Sequence, residues 1–203
     1  MTDQNLETQI QPLKREGPFL ITGLGNPGRK FERNRHNVGF MLLNRLSSRL
    51  GESFGSVESK ALVVKSSYLG ERVILVKPQT YMNNSGAAVS SLFHFYKVPL
   101  DNLLVAYDDV DLPLGILRLR PSGGSAGQKG MQSIIERLGT EEFPRLRIGT
   151  GRPPGRMEAA DYVLQDFPND ETELLTETLD RAVEAVLTFL QYGLDRAMNS
   201  YNG

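Results

Sequence analysis

Short apolar runs alternate with stripes of helical period along this chain, and that alternation constrains its fold more than any other feature. Phe19–Leu24 is an apolar run that ends in glycine-rich turn signals, so it reads as a strand. Asn37–Leu50 follows with Val38, Met41, Leu42, Leu46 and Leu50 at helical spacing, and Gly51 is a natural stop. Ala61–Tyr68 and Arg72–Val76 flank Leu69-Gly70-Glu71 as a hairpin. Asn84–Tyr96 reads as a helix broken before Pro99, and Asn102–Tyr107 as a buried strand. Ile116–Arg120 sets Leu117 and Leu119 on one face and Ile116, Arg118 and Arg120 on the other, the pattern of a half-buried strand with a basic outer face that Ile116 breaks. A glycine-rich stretch over 123–130 leads into a helix at Met131–Leu138, and Leu146–Gly151 forms another strand. The last long helix, capped by Asn169 or Asp170, carries Leu175, Leu179, Val183, Val186 and Leu190 on one stripe and ends at Gly193. Strands mixed with helices and one hairpin predict an α/β fold: a single domain with a twisted mixed β-sheet flanked by helices.

At 203 residues the chain fits one domain able to build its core without staples. Residues 1–17 lack an apolar segment and read as a short disordered N-terminal arm, leaving 18–203 as the domain. With no cysteine, disulfide frameworks, thiolate metal sites and cysteine nucleophiles are excluded, and two histidines make a multi-histidine metal site an unpromising idea. No apolar run approaches the roughly 20 residues of a membrane span, so a cytoplasmic protein is expected. The net charge of −1 is unevenly spread. Residues 115–156 carry 8 basic and 3 acidic side chains, whereas 157–203 carry 2 and 10. A basic middle segment suits a polyanionic partner, although a solvated charged face gives the same composition. The acids of the last helix are expected to face solvent.

Three arrangements compete for the chemistry. Gly23-x-Gly25-x-x-Gly28 after a strand has the spacing of a dinucleotide-binding turn, but several polar residues separate it from the helix that should begin at its second glycine. Gly123-Gly124-Ser125-Ala126-Gly127 matches a nucleophile elbow, yet both histidines precede the serine, the wrong order for an α/β-hydrolase. A loop whose glycines admit a ligand explains that segment better. The third arrangement centres on His36, just after the glycine-rich turn. His94, in a predicted apolar helix, reads as structural. His36 instead shares its surroundings with Asn26, Asn37, Asn83 and Asn84 at predicted element ends, and with Asp108, Asp109 and Asp111 at the end of a strand. An aspartate can orient an imidazole, amides can donate to an oxyanion, and a His–Asp pair with no Ser or Cys nucleophile points to water attacking an activated ester.

Several blocks are more specific. Gly23-Leu24-Gly25-Asn26-Pro27-Gly28 and Arg35-His36-Asn37-x-Gly39 resemble the opening of bacterial peptidyl-tRNA hydrolases. The resemblance continues through Lys77-Pro78-Gln79-Thr80-Tyr81-Met82-Asn83-Asn84-Ser85-Gly86, Asp108–Gly115, Phe143–Gly149 and Ala197-Met198-Asn199, over about residues 18–202. It implies hydrolysis of the ester joining a peptide to tRNA, recycling tRNA from peptides that leave the ribosome early. His36 would then be the general base for water and Asp108 its orienting partner. Asn26 and Asn83 would position the peptide and its carbonyl. Arg118, Arg120 and Arg147 would meet tRNA phosphates, which gives the basic segment a use. The family works without metal or cofactor and as a monomer, with peptidyl-tRNA as its partner and no membrane. This sequence departs from the family at two places. Lys129 stands where the family's loop carries an asparagine, so either Lys129 adds a phosphate contact or Gln128 supplies the amide. Phe31 replaces a usual tyrosine, keeping the ability to stack on a base but not the hydroxyl. The rival expectation is a non-enzymatic RNA-binding member of the same fold, like an intron-splicing factor of plant organelles.

Overall fold

The run Phe19–Gly23 forms β1, buried on both faces at the centre of a seven-stranded sheet. The computed structural model describes residues 16–203. Residues 1–15 of the expected arm lie outside them, and Glu16 at its end accepts a hydrogen bond at its carbonyl from Asn102 Nδ2 at 2.9 Å. The remaining strands are β2 (Ser56–Glu58), β3 (Ala61–Tyr68), β4 (Glu71–Pro78), β5 (Leu103–Asp109), β6 (Leu117–Arg120) and β7 (Arg145–Gly149). Their order is β2-β3-β4-β1-β5-β7-β6. β1 runs parallel to β4 and β5, and β5 to β7, whereas β2–β3, β3–β4 and β6–β7 are antiparallel. The sheet is therefore mixed, as the sequence predicts. Leu69 and Gly70, both at positive φ, make the tight turn of the β3–β4 hairpin.

Alternate residues of the central strands feed two cores. Phe19, Ile21, Leu104 and Ala106 pack with α1 (Val38–Arg49) and α5 (Thr172–Tyr192), and Phe19 meets the edge of Phe189 at 5.6 Å. Leu20, Val105 and Tyr107 face α2 (Ser85–Phe95) and α3 (Lys129–Leu138) on the other side. From β1 the chain reaches β4 on one flank and later β5 on the other. The carboxyl ends of β1, β4 and β5 thus flank the crevice where α/β sheets place their sites.

Several boundaries differ from the sequence expectations. The acids expected just past the strand at 102–107 lie partly within it, because pairing with β7 carries β5 through Asp109. Neither Asn169 nor Asp170 caps α5: a 3₁₀ turn over Asn169–Glu171 leads into it, with no capping side-chain bond. Gly193 ends α5 at φ 91° and opens α6 (Leu194–Tyr201), which folds back beside β6. β2 and α4 (Ala159–Tyr162) carry too few residues to show a period. His94 lies on α2 but is exposed, against the edge of Phe93. Glu173, Glu177, Asp180 and Glu184 of α5 face solvent, as expected.

Candidate active site

At the carboxyl edge of the sheet, a cleft of about 640 Å³ collects His36, Asp108, Asn26, Asn83 and Lys129. The 3₁₀ turn Arg35–Asn37 delivers His36 at the start of α1, and β5 delivers Asp108. His36 Nδ1 lies 2.7 Å from Asp108 Oδ2. The carboxylate is 3% exposed and the imidazole 13%, so the bond sits at the cleft floor. An ionised carboxylate can only accept, which puts the proton on Nδ1 and leaves Nε2 as the basic nitrogen.

The glycine-rich turn after β1 is locked by amides. Asn37 Oδ1 accepts from the Asn26 N–H at 2.8 Å, and Asn37 Nδ2 donates to the Asn26 carbonyl at 2.9 Å. Asn26 Oδ1 in turn accepts from the Met82 N–H at 2.9 Å, tying the turn to the loop after β4. That fixes the flip of the Asn26 amide and leaves its Nδ2 as a donor at the cleft wall. Asn83, on the 3₁₀ turn Met82–Asn84, is exposed at the same wall.

The opposite wall was not legible in the sequence. Ala159, Ala160, Val163 and Leu164 line it. The Arg35 N–H donates to Gln165 O and the His36 N–H to Val163 O, at 3.0 and 2.8 Å. Arg35, 4% exposed, donates to Asp166 O and pairs with Glu171 at 2.8 Å, with its guanidinium over Tyr162 and Phe167. No local sequence pattern marks a partner that lies more than 130 residues away.

Lys129 is exposed at the first residue of α3. Gln128 is buried beneath it and donates to Asp108 Oδ1. Phe31 lies apart from the cleft, on the 3₁₀ turn Arg29–Phe31 with Lys30 Nζ 4.7 Å from its ring centre. Arg118, Arg120 and Arg147 also lie outside it, on the β6–β7 edge. Tyr107, Arg147 and Arg118 stand in register across β5, β7 and β6, so a row of side chains runs from the cleft wall to the sheet edge. Arg147 is ion-paired with Asp109, Arg118 is half-buried, and Arg120 is exposed. Arg145, in register with Arg120, is fully buried and holds the carbonyls of Gly123, Glu141 and Phe143. Burial pushes the Tyr107 phenol up, against the opposing pull of Arg145 and Arg147.

The two competing motifs find other uses. A Cβ on Gly23 would lie 2.2 Å from the carbonyl oxygen of Gly39, and one on Gly25 would meet the Phe40 ring. These glycines serve close packing of α1, whose start at Val38 is far from a dinucleotide turn. Ser125 lines the cleft, but the Nδ1 bond of His36 goes to Asp108 and no bond joins Ser125 to the imidazole among the described residues. Among those residues no cluster of three or more His, Asp or Glu could hold a metal, and no helix is long and apolar enough to cross a membrane.

The family model for peptidyl-tRNA hydrolase matches residues 20–203. Peptidyl-tRNA hydrolase of Chloroflexus aggregans is 51% identical over 185 residues, which span 91% of this chain and 98% of that protein. The enzyme of a Thermoanaerobacter species is 45% identical, spanning 91% of this chain and all of its own. Among solved structures, the Arg119Gln mutant of peptidyl-tRNA hydrolase from Acinetobacter baumannii superposes with a TM-score of 0.86 at 32% identity, over 94% of this chain and 98% of that one. With the family model covering most of the chain and relatives at about half identity end to end, the chain belongs to the peptidyl-tRNA hydrolase family.

Proposed function

We propose that, in the peptidyl-tRNA hydrolysis this chain performs, His36 is the general base for water and Asp108 its orienting partner. The observation that carries this reading is the Nδ1–Oδ2 bond at the floor of the cleft. Water attacks the ester carbonyl as Nε2 takes its proton. Asp108 stabilises the imidazolium without itself accepting the proton. Asn26 Nδ2 and the Asn83 amide meet the oxyanion and the peptide backbone. Collapse of the tetrahedral intermediate breaks the ester C–O bond. The imidazolium returns its proton to the ribose oxygen, giving a tRNA hydroxyl and a peptide carboxylic acid, which sheds the remaining water proton to solvent.

The tRNA follows the row from Tyr107 to the sheet edge. Arg118 and Arg120 contact phosphates there, and Arg147, though paired with Asp109, adds charge to the same face. Lys129 extends this field to the cleft mouth in place of the family's amide. Phe31 stacks on a base outside the cleft. The enzyme acts in the cytoplasm as a monomer.

The test is turnover of an N-acetyl-aminoacyl-tRNA with EDTA present. Wild type turns over, His36→Ala loses turnover and keeps tRNA binding, and Asp108→Asn is slowed. Near-normal turnover by His36→Ala removes the general-base assignment. Wild type that binds tRNA without turnover favours the RNA-binding alternative. If Lys129→Ala leaves tRNA affinity unchanged and Lys129→Asn raises activity, the phosphate role of Lys129 fails.

A further inference from the structure

We infer that Gln128 is a positioning residue: its one amide caps α3 and braces the second oxygen of Asp108, coupling the glycine-rich loop to the His36–Asp108 pair. This rests on the general-base reading of that pair.

Gln128 occupies the N-cap position of α3, where Ser, Thr, Asp and Asn are the favoured residues. Its Oε1 accepts from the Met131 N–H at 2.8 Å. Only the oxygen end of an amide can accept that bond, so the cap fixes the flip of the side chain. Nε2 is then forced to the other side, where it meets Asp108 Oδ1 at 3.1 Å and Met82 Sδ at 3.3 Å. A shorter cap residue would satisfy the helix but fall short of Asp108, which gives the length of glutamine a purpose.

Asp108 thus has one oxygen on His36 and the other on Gln128. Both lobes of the carboxylate are held, and with them the plane that orients the imidazole. The donor carries no charge and does not titrate, so it adds no competing proton to a crowded site. The ionisable groups around the pair are Tyr107, Asp109 and Asp111 on or beyond β5, Lys129 on α3, Arg147 paired with Asp109, and, at the His36 turn, Arg35 with Glu171 on its guanidinium and Asp166 on Asn34. The loop itself is wound tightly into this cap. Ala126 and Gly127 are both at positive φ, and the Gln128 N–H donates to Ser125 O at 2.9 Å. Because the amide is committed to Met131 and Asp108, Gln128 does not replace the family's loop asparagine towards substrate.

Two variants separate the brace from the cap. Gln128→Glu keeps an acceptor for the Met131 N–H but turns a like charge on Asp108. Gln128→Asn keeps a favoured cap and is one methylene too short for the brace. For both, kcat falls about tenfold or more with KM within about twofold; the thermal midpoint stays within a few degrees for Gln128→Asn and falls further for Gln128→Glu, which turns a buried oxygen on a buried carboxylate. For Gln128→Glu the acidic limb of the kcat profile also moves up by about one pH unit, because the added carboxylate favours the imidazolium. The chain has two histidines, so NMR titration of the imidazoles reads this directly. The His36 signal follows the limb upward and exposed His94 stays put. Wild-type kcat in Gln128→Asn, or an unshifted His36 signal in folded Gln128→Glu, reduces Gln128 to a helix cap. The NMR shift does not depend on turnover. If it appears while wild type fails to cleave peptidyl-tRNA, the coupling stands and the catalytic reading falls instead.

Discussion

The side chain of Asn37 holds the backbone of Asn26 from both sides, accepting from its N–H and donating to its carbonyl. This two-bond clasp spans 11 residues of chain and fixes the glycine-rich turn against the start of α1. Since His36 precedes Asn37 and the Asn26 amide lines the cleft, the clasp sets the distance between the imidazole and that amide.

Asn37→Asp tests the clasp at nearly constant shape. The acceptor survives, but the donor becomes an oxygen facing the Asn26 carbonyl. Asn37 is 2% exposed, so water cannot replace the lost bond. Leaving a buried acceptor unpaired costs about 1–3 kcal/mol, and the new charge adds to it. Urea unfolding should show a loss of at least about 2 kcal/mol, and steady-state kinetics a larger fall in kcat than Arg120→Ala, whose proposed phosphate contact lies outside the cleft.

Arg35 serves the opposite wall. Its guanidinium joins the His36 turn to Asp166 and Glu171 and lies over two aromatic rings. Arg35→Met keeps most of the volume and removes every polar bond, so a loss of about 3 kcal/mol is expected. Hydrogen exchange should accelerate at the His36 amide, whose partner is Val163 O. Glu171→Gln should cost about 1 kcal/mol or less, because the carboxylate is 31% exposed and Asp166 O still holds the arginine. Equal losses from the two substitutions would contradict this division.

The contrast between these residues shows what the sequence carries. The central strands, α1, α2 and most of α5 are legible because each repeats an apolar period over several turns or pleats. His36 and Asp108 are legible because residues of those types fall at element ends, where parallel sheets gather their sites. Gln128 is not, since its role depends on which way a capping amide turns. Arg35 is not, since nothing near it in the chain announces Glu171. Asn169 and Asp170 look like caps by type, but a 3₁₀ turn there leaves their side chains without that bond. Arg147 reads as a free phosphate ligand until β5 and β7 bring Asp109 beside it.

Gly39 fixes how closely α1 approaches the sheet. A Cβ there would lie 2.5 Å from Leu24 N, 2.6 Å from Ala106 O and 2.7 Å from Leu24 O. All three are backbone atoms, two of them in the Leu24 N–H to Ala106 O bond that continues β1 alongside β5. They cannot swing aside as a side chain would. Gly39→Ala must therefore lift α1 or break that bond, at about 3 kcal/mol or more. Gly51→Ala is the control, costing about 1 kcal/mol for its φ of 74° with nothing near its Cβ. Chemical denaturation of both variants checks the difference, and turnover should collapse only in Gly39→Ala.

Lys77 gives the fold a stability that rises with pH above neutrality. Its ammonium is buried at the end of β4, 2.6 Å from Asn44 Oδ1 and 3.9 Å from the Phe54 ring centre. Burial holds the amine down to about 8 from an ordinary 10.5, with Glu32 opposing the shift. Below pH 8 folded and unfolded chains both carry the proton, and the folded state bears the full desolvation cost. Between about 8 and 10.5 the unfolded chain binds more protons, so stability from this group rises with pH. Lys77→Met removes the titration while filling the same space. Measured by urea unfolding, wild type should gain about 2 kcal/mol on the variant between pH 7 and pH 10. The other titrating groups are common to both proteins and cancel in the difference. Two stability curves that stay parallel across that range would show that the Lys77 amine keeps its proton in the fold and that Asn44 and the aromatic rings offset its burial.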